Sequence, residues 1–239
     1  MKILITSDLH YRLKQFDWLA EQAVNYDALI IAGDLLDISH PMDLSVQIVV
    51  MKKYLRKIGA VTRLLVCSGN HDGNEKNDAD EYVAPWLQEV RAERVHVDGD
   101  NVFFGDVLVT IFPWWDGEVT RREVAEQFAQ AGRLAFRKWI WIYHAPPDKS
   151  STSWTGKRFI GDTELNQWIA QYRPDLVVAG HIHQSPYQSG GSWIDQIGKT
   201  WIINTGAYLG ETPPHIVLDL DAMLAEWCSL AGEESRLLA

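Results

Sequence analysis

The segment Ala28-Leu29-Ile30-Ile31-Ala32-Gly33-Asp34 is a short apolar run closed by a glycine and a carboxylate. A run this brief, rich in branched side chains and ended by a turn residue, reads as a strand buried on both faces. Ile3 to Thr6 and Leu64 to Cys67 have the same character. Between these runs lie amphipathic stretches at about 12–24 and 42–57. The alternation predicts consecutive βαβ units and a largely parallel sheet in the first half of the chain.

Further along, strands are expected near 107–112, 139–143 and 175–179. The runs at 193–197, 200–204 and 215–219 have only short turns between them and suggest antiparallel strands. Helices are expected at 119–137, capped by Thr120 or a neighbour, and at 163–171, where Asp162 can accept from the free amides of the first turn. A last helix is expected from Asp221 onward, and the polar segments 73–81 and 145–161 read as loops.

Five polar clusters interrupt the apolar runs, each just beyond the carboxyl end of an expected strand: Asp8-Leu9-His10, Gly33-Asp34 with Asp37 following, Gly69-Asn70-His71-Asp72, His144, and Gly180-His181-Ile182-His183. In α/β sheets the loops at that end build the ligand crevice, so distant clusters can converge there. The atoms on offer are imidazole nitrogens, carboxylate oxygens and one amide oxygen, a set that suits Mn, Fe, Zn, Co or Ni. Two divalent cations would also relieve the repulsion between Asp8 and Asp34. Gly33, Gly69 and Gly180 stand where a strand must turn and the backbone must come close to an ion.

Taken in order, D-x-H, G-D-x-x-D, G-N-H-D, H and G-H-x-H resemble the calcineurin-like metallophosphoesterase superfamily over residues 8 to 183. Asn204-Thr205-Gly206 resembles the turn after a late strand in that family. The resemblance implies an α/β fold, a four-layer αββα sandwich of two mixed β-sheets flanked by helices. It implies one metal held by Asp8, His10 and His183, a second by Asn70, His144 and His181, and Asp34 bridging both. Two divalent ions, manganese favoured, would hold the hydroxide that attacks the ester. His71 is then the expected general acid, and Asp72 either orients His71, supports a ligand from behind, or caps its own loop. Serine/threonine protein phosphatases are disfavoured, because Ile38 and Asp72 stand where that branch carries arginine and glutamate.

The chain has 239 residues, 46% of them hydrophobic and 23% charged, which suits one catalytic domain over 1–239. A formal net charge of -10 disfavours a broad grip on nucleic acid, although a nuclease is the alternative within the enzyme class. A non-catalytic scaffold is the alternative outside it, disfavoured because every expected ligand is present. The expected partner is a small phosphate ester, nucleotide-like included, with no obligate protein partner. Cys67 and Cys228 do not make a disulfide framework, Ile3-Leu4-Ile5 follows too soon for a signal peptide, and no apolar run reaches the roughly 20 residues that span a bilayer, so a cytoplasmic protein is expected.

Some residues have ordinary readings. A turn or helix-capping role is the better expectation for Asp37, and surface or packing roles for His40, His96 and His215. Trp114 and Trp115, after the strand near 107–112, either pack or stack on an aromatic group of the substrate. Lys149, Lys157 and Arg158 lie in a loop read as solvated, with recruitment of a second phosphate as the alternative.

Overall fold

The computed structural model describes residues 1–238. In chain order, the first sheet begins with β1 (Lys2–Thr6), β2 (Ala28–Ala32) and β3 (Arg63–Cys67), joined through helices α1 (Leu13–Gln22) and α2 (Leu44–Gly59). A small hairpin, β4 (Glu75–Lys76) and β5 (Tyr82–Val83), and a short helix α3 (Pro85–Gln88) precede β6 (Val95–His96), which completes the parallel set. The chain then enters a second sheet through β7 (Asn101–Phe104) and β8 (Val107–Ile111), followed by α4 (Glu118–Ala131), β9 (Lys138–Ile142), α5 (Thr163–Tyr172), β10 (Leu176–Ala179), β11 (Ile194–Ile197) and β12 (Thr200–Asn204). It returns to the first sheet with β13 (His215–Asp219), β14 (Leu224–Ser229) and β15 (Gly232–Leu237).

Sheet orders are β15-β14-β13-β1-β2-β3-β6 and β11-β12-β10-β9-β8-β7. The first has a parallel half, β1-β2-β3-β6, and an antiparallel half, β15-β14-β13, while the second has a parallel centre with an antiparallel strand at each edge. Strand alternation sorts the side chains into three apolar layers. Ile3, Ile5, Ile30 and Leu65 face Val109, Ile140, Ile142 and Val178 between the sheets. Leu4, Leu29, Ile31 and Val66 point the other way, onto Phe16 and Leu19 of α1 and Met51 and Leu55 of α2. Leu108, Trp139, Trp141 and Val177 pack outward on Phe128 of α4 and Leu165 and Ile169 of α5. The result is a helix–sheet–sheet–helix stack, in which strands buried on both faces are apolar throughout.

Asp162 caps α5 as expected, accepting from the amides of Glu164 and Leu165 at 2.7 and 3.2 Å. Gly117, not Thr120, is the N-cap of α4. Its first amides are met instead by Glu81 from the β4–β5 hairpin, which accepts from Val119 and Thr120 at 2.8 and 2.7 Å. That helix also ends at Ala131, short of 137, where Gly132 caps it.

Two expectations fail. The segment after Asp221 is the β14–β15 hairpin rather than a helix. Ala225 and Trp227 are buried while Glu226 is exposed, a two-residue period that pairing with β13 enforces over the helical preference of Leu, Ala and Glu. The late strands also do not form one antiparallel group. Only β11 and β12 pair that way, whereas β13 crosses to the other sheet and lies antiparallel to β1.

Candidate metal centre

The parallel strands β1, β2, β3, β9 and β10 all end on one side of the molecule, and each expected cluster begins within three residues of its strand end. Asp8, Asp34 and His144 are almost fully buried there, and His183 is more open, its side chain 38% exposed. Backbone strain gathers at the same place. Asp8, His10, Asp34 and His181 have φ of 55, 43, 54 and 66°, values that side-chain-bearing residues seldom adopt.

Two groups of donor atoms share Asp34, and a third joins His10, Asp37 and His71. In the first, ligand atoms of Asp8, His10, Asp34 and His183 lie within 4.8 Å of one another. His183 Nε2 is 3.2 Å from Asp8 Oδ1 and 2.9 Å from His10 Nε2, which is itself 3.7 Å from Asp34 Oδ2. In the second, Asp34, His144 and His181 meet the same distance criterion of 4.8 Å. His144 Nε2 stands 3.3 Å from Asp34 Oδ2, and His181 Nδ1 is 2.8 Å from Asn70 Oδ1. All seven residues expected to bind metal therefore lie close together, Asn70 through its contact with His181 and Asp34 in both groups.

His144 tests whether these residues suit a cation. Its ring is buried, and Nδ1–H donates to the carbonyl of Ala32 at 2.7 Å, leaving the Nε2 lone pair aimed at the carboxylates. That Nε2 has no hydrogen-bond partner among the described residues. Imidazoles that ligate metals are commonly fixed in this way by a backbone carbonyl behind the ring. Burial opposes a charge on His144, yet Asp34 and Asp8 push it up to about 10. A cation between Nε2 and Asp34 would take the place of that proton. Burial works against charge on Asp8 and Asp34 too, but the surrounding imidazoles hold both below the usual carboxylate range. Burial and the charge on His144 lower His181 to about 4, leaving it neutral with a lone pair to donate. The donor set fits divalent cations.

The glycines serve the ligands rather than an ion. A Cβ on Gly33 would lie 2.3 Å from His144 Nδ1, one on Gly69 2.2 Å from Asp34 Oδ1, and one on Gly180 2.5 Å from Asp8 Oδ2. Each motif glycine thus leaves space for a side chain from a different loop, and only Gly33 also needs its positive φ of 86°.

His71 lies at the rim, its ring centroid 4.6 Å from that of His10. Its amide donates to Asp34 Oδ1 at 2.8 Å, and its Nδ1 accepts from the Ile38 amide at 3.4 Å. Asp72 makes no hydrogen bond to the His71 ring among the described residues: its carboxylate accepts from Leu35 and Leu36 at 2.9 Å and from Gly69 at 2.8 Å. Asp72 therefore caps its own loop at Gly69 and also holds the loop that follows Asp34. Asp37 takes a turn role, accepting from Ser39 at 2.8 Å, while a carboxylate oxygen also lies within 4.8 Å of donors on His10 and His71. His40, His96 and His215 stand apart from these donor groups.

Two supports were not legible beforehand. Ser7 Oγ donates to Asp8 Oδ2 at 2.5 Å and lies 2.8 Å from Thr205 Oγ1, so the Asn204-Thr205-Gly206 turn steadies a ligand. Arg12 donates to the Asp8 carbonyl at 3.2 Å. A lone serine or arginine beside a motif carries no periodic signal that would single it out.

The sequence matches the family model for calcineurin-like phosphoesterases over residues 1–185. A crystal structure from Thermus thermophilus is 16% identical with a TM-score of 0.60, covering 100% of this chain and 99% of that one. Purple acid phosphatase PPD1 from yellow lupin (Lupinus luteus) seeds is 13% identical with a TM-score of 0.61. It covers 98% of this chain, which spans 53% of the lupin protein. At these identities the likeness concerns the fold. No curated protein matches the sequence. The family match covers most of the chain, and the chain belongs to the calcineurin-like phosphoesterase family.

Proposed function

We propose that this calcineurin-like phosphoesterase is a binuclear metal-dependent hydrolase of a small phosphate ester, a diester in preference to a monoester, acting as one catalytic domain. The carrying observation is the pair of donor groups that share Asp34, with the unpartnered Nε2 of His144 aimed between them. Asp8, His10 and His183 would hold one cation and Asn70, His144 and His181 the other, with Asp34 touching both. When bound, such a pair supplies a water of lowered pKa and positive charge for the phosphate oxygens.

The chain's own contribution is placement and a proton. His144 is locked by Ala32, and Asp72 ties the Asp34 loop to the Gly69 loop, so the donors are held before anything binds. In the neutral ring, a His71 Nδ1 that accepts from Ile38 leaves the proton on Nε2. That nitrogen is the proposed donor to the departing alkoxide. Of the candidate metals manganese is favoured, since nitrogen and oxygen donors without thiolate suit it.

An assay with added manganese, comparing bis-p-nitrophenyl phosphate with p-nitrophenyl phosphate, tests the reading. Faster turnover of the diester is expected. Turnover of neither, with manganese or with zinc, would refute it.

A further inference from the structure

Beside the second donor group lies a cavity of about 320 Å³, at the lower end of small-molecule sites. Trp114, Trp115, Tyr143, Ala145 and Ile160 form its sides, and His181 closes the end nearest the metal donors. The Trp114 ring stands 5.5 Å from that of His181 and 5.8 Å from that of His144, so the aromatic wall starts at the donor group itself.

These tryptophans differ from the packing ones. Trp139 and Trp141 are 2% and 0% exposed within the core, whereas Trp114 and Trp115 keep part of their surface open to the cavity. Large apolar faces left open beside a polar centre are the informative exception to burial. The wall is also rigid. Trp115 Nε1 donates to Asp162 Oδ2 at 3.0 Å, the Tyr143 hydroxyl donates to the same oxygen at 2.5 Å, and the other oxygen caps α5.

Charge narrows the occupant. No lysine or arginine lines the cavity among the described residues, and its two charged groups are the carboxylates of Asp116 and Asp162. Lys149, Lys157 and Arg158, on the preceding loop, are exposed and stand outside it. A second phosphate would meet negative charge here without a partner, while a flat neutral ring meets the open indole faces of Trp114 and Trp115.

We infer that this cavity binds a flat, uncharged aromatic group of the substrate, a nucleobase or an aryl ring, stacked against Trp114 and Trp115 with the phosphate at the donor groups. Placement of the phosphate rests on the proposed hydrolase reading; binding of the ring does not.

Calorimetric titration of the full chain in EDTA, with adenosine, benzyl alcohol and ribose, separates the two. At least one aromatic ligand should bind about tenfold or more tightly than ribose, from stacking worth roughly 1–3 kcal/mol per base. Adenosine alone would identify a nucleobase site, and benzyl alcohol alone an aryl site. Trp115→Leu should cut the preference at least about fivefold by that same stacking scale. Ile160→Arg, at the cavity mouth, should do the same if Trp115→Leu fails to fold. Equal binding of all three, or a preference unchanged in both variants, would overturn the inference. With manganese, the methyl phosphodiesters of adenosine and ribose at their 5′ oxygens share a leaving group. Equal kcat/KM on that pair would remove the substrate assignment yet leave the hydrolase reading standing. Adenosine binding without turnover of any ester would do the reverse.

Discussion

His71 stands at the edge of the donor cluster and, in the proposed arrangement, gives a proton to the leaving group and coordinates nothing. His71→Ala should keep its metal and lose about 10²–10⁴ in rate on an alkyl ester, the usual scale of acid catalysis. The loss should be smaller on p-nitrophenyl esters, whose leaving group hardly needs a proton, and equal losses on both would remove His71 from that role. Gly69 tests the packing of one ligand against another loop. A methyl group there meets Asp34 Oδ1 at 2.2 Å, so Gly69→Ala should lose bound manganese by elemental analysis, and full retention would contradict the proposed place of Asp34. Burial pushes the Asp98 carboxyl up to about 6, although Ser68 donates to it at 2.9 Å. The folded chain therefore holds that proton more tightly than the unfolded chain does. Stability contributed by this group falls as the pH rises from the ordinary carboxylate range through about 6. Asp98→Asn should accordingly raise Tm relative to wild type by more at pH 7 than at pH 4, and an equal shift at both would count against it. At this scale the clustering of the candidate donors was legible because imidazole, carboxylate and glycine recur at strand ends. Ser7 and Arg12 were not, since their roles depend on neighbours that only the fold supplies.

Among the elements, Asp162 and Asp72 do the joining. Asp162 caps α5 with one oxygen and holds Trp115 and Tyr143 with the other. Asp162→Ala should cost about 0.5–2 kcal/mol for the lost cap in urea denaturation, with a further cost from the buried Tyr143 hydroxyl left unpaired. An unchanged midpoint would show that neither contact matters. The cap was legible, because an aspartate before an amphipathic run signals a helix start. The second oxygen's partners were not, because Trp115 and Tyr143 arrive from other elements. The same division explains the strands. Apolar runs such as Leu29 to Ile31 are buried on both faces and declare themselves, whereas β6 spans only Val95–His96 and β7 alternates weakly. The last hairpin carries helix-forming residues and takes its conformation from pairing with β13.

For the molecule as a whole, the stacked sheets bring loops from both onto one side, so metal and fold should stabilise each other. Asp8 and Asp34 are buried close together, and a cation bound only by the folded chain adds about 2.7 kcal/mol at a free concentration a hundred times its Kd. Manganese should raise Tm and EDTA should reverse the gain; no shift would indicate that the donors do not bind it. The parallel half of the first sheet was legible in the sequence, and the closing strands were not, since whether a short run joins one sheet or crosses to the other depends on contacts across the stack. Anomalous diffraction from manganese-soaked crystals decides whether the donors hold a cation pair. Expected are two peaks about 3.5–4 Å apart, the spacing of two-metal sites, with Asp34 in contact with both. A single peak, or two peaks that Asp34 does not join, would contradict the shared centre.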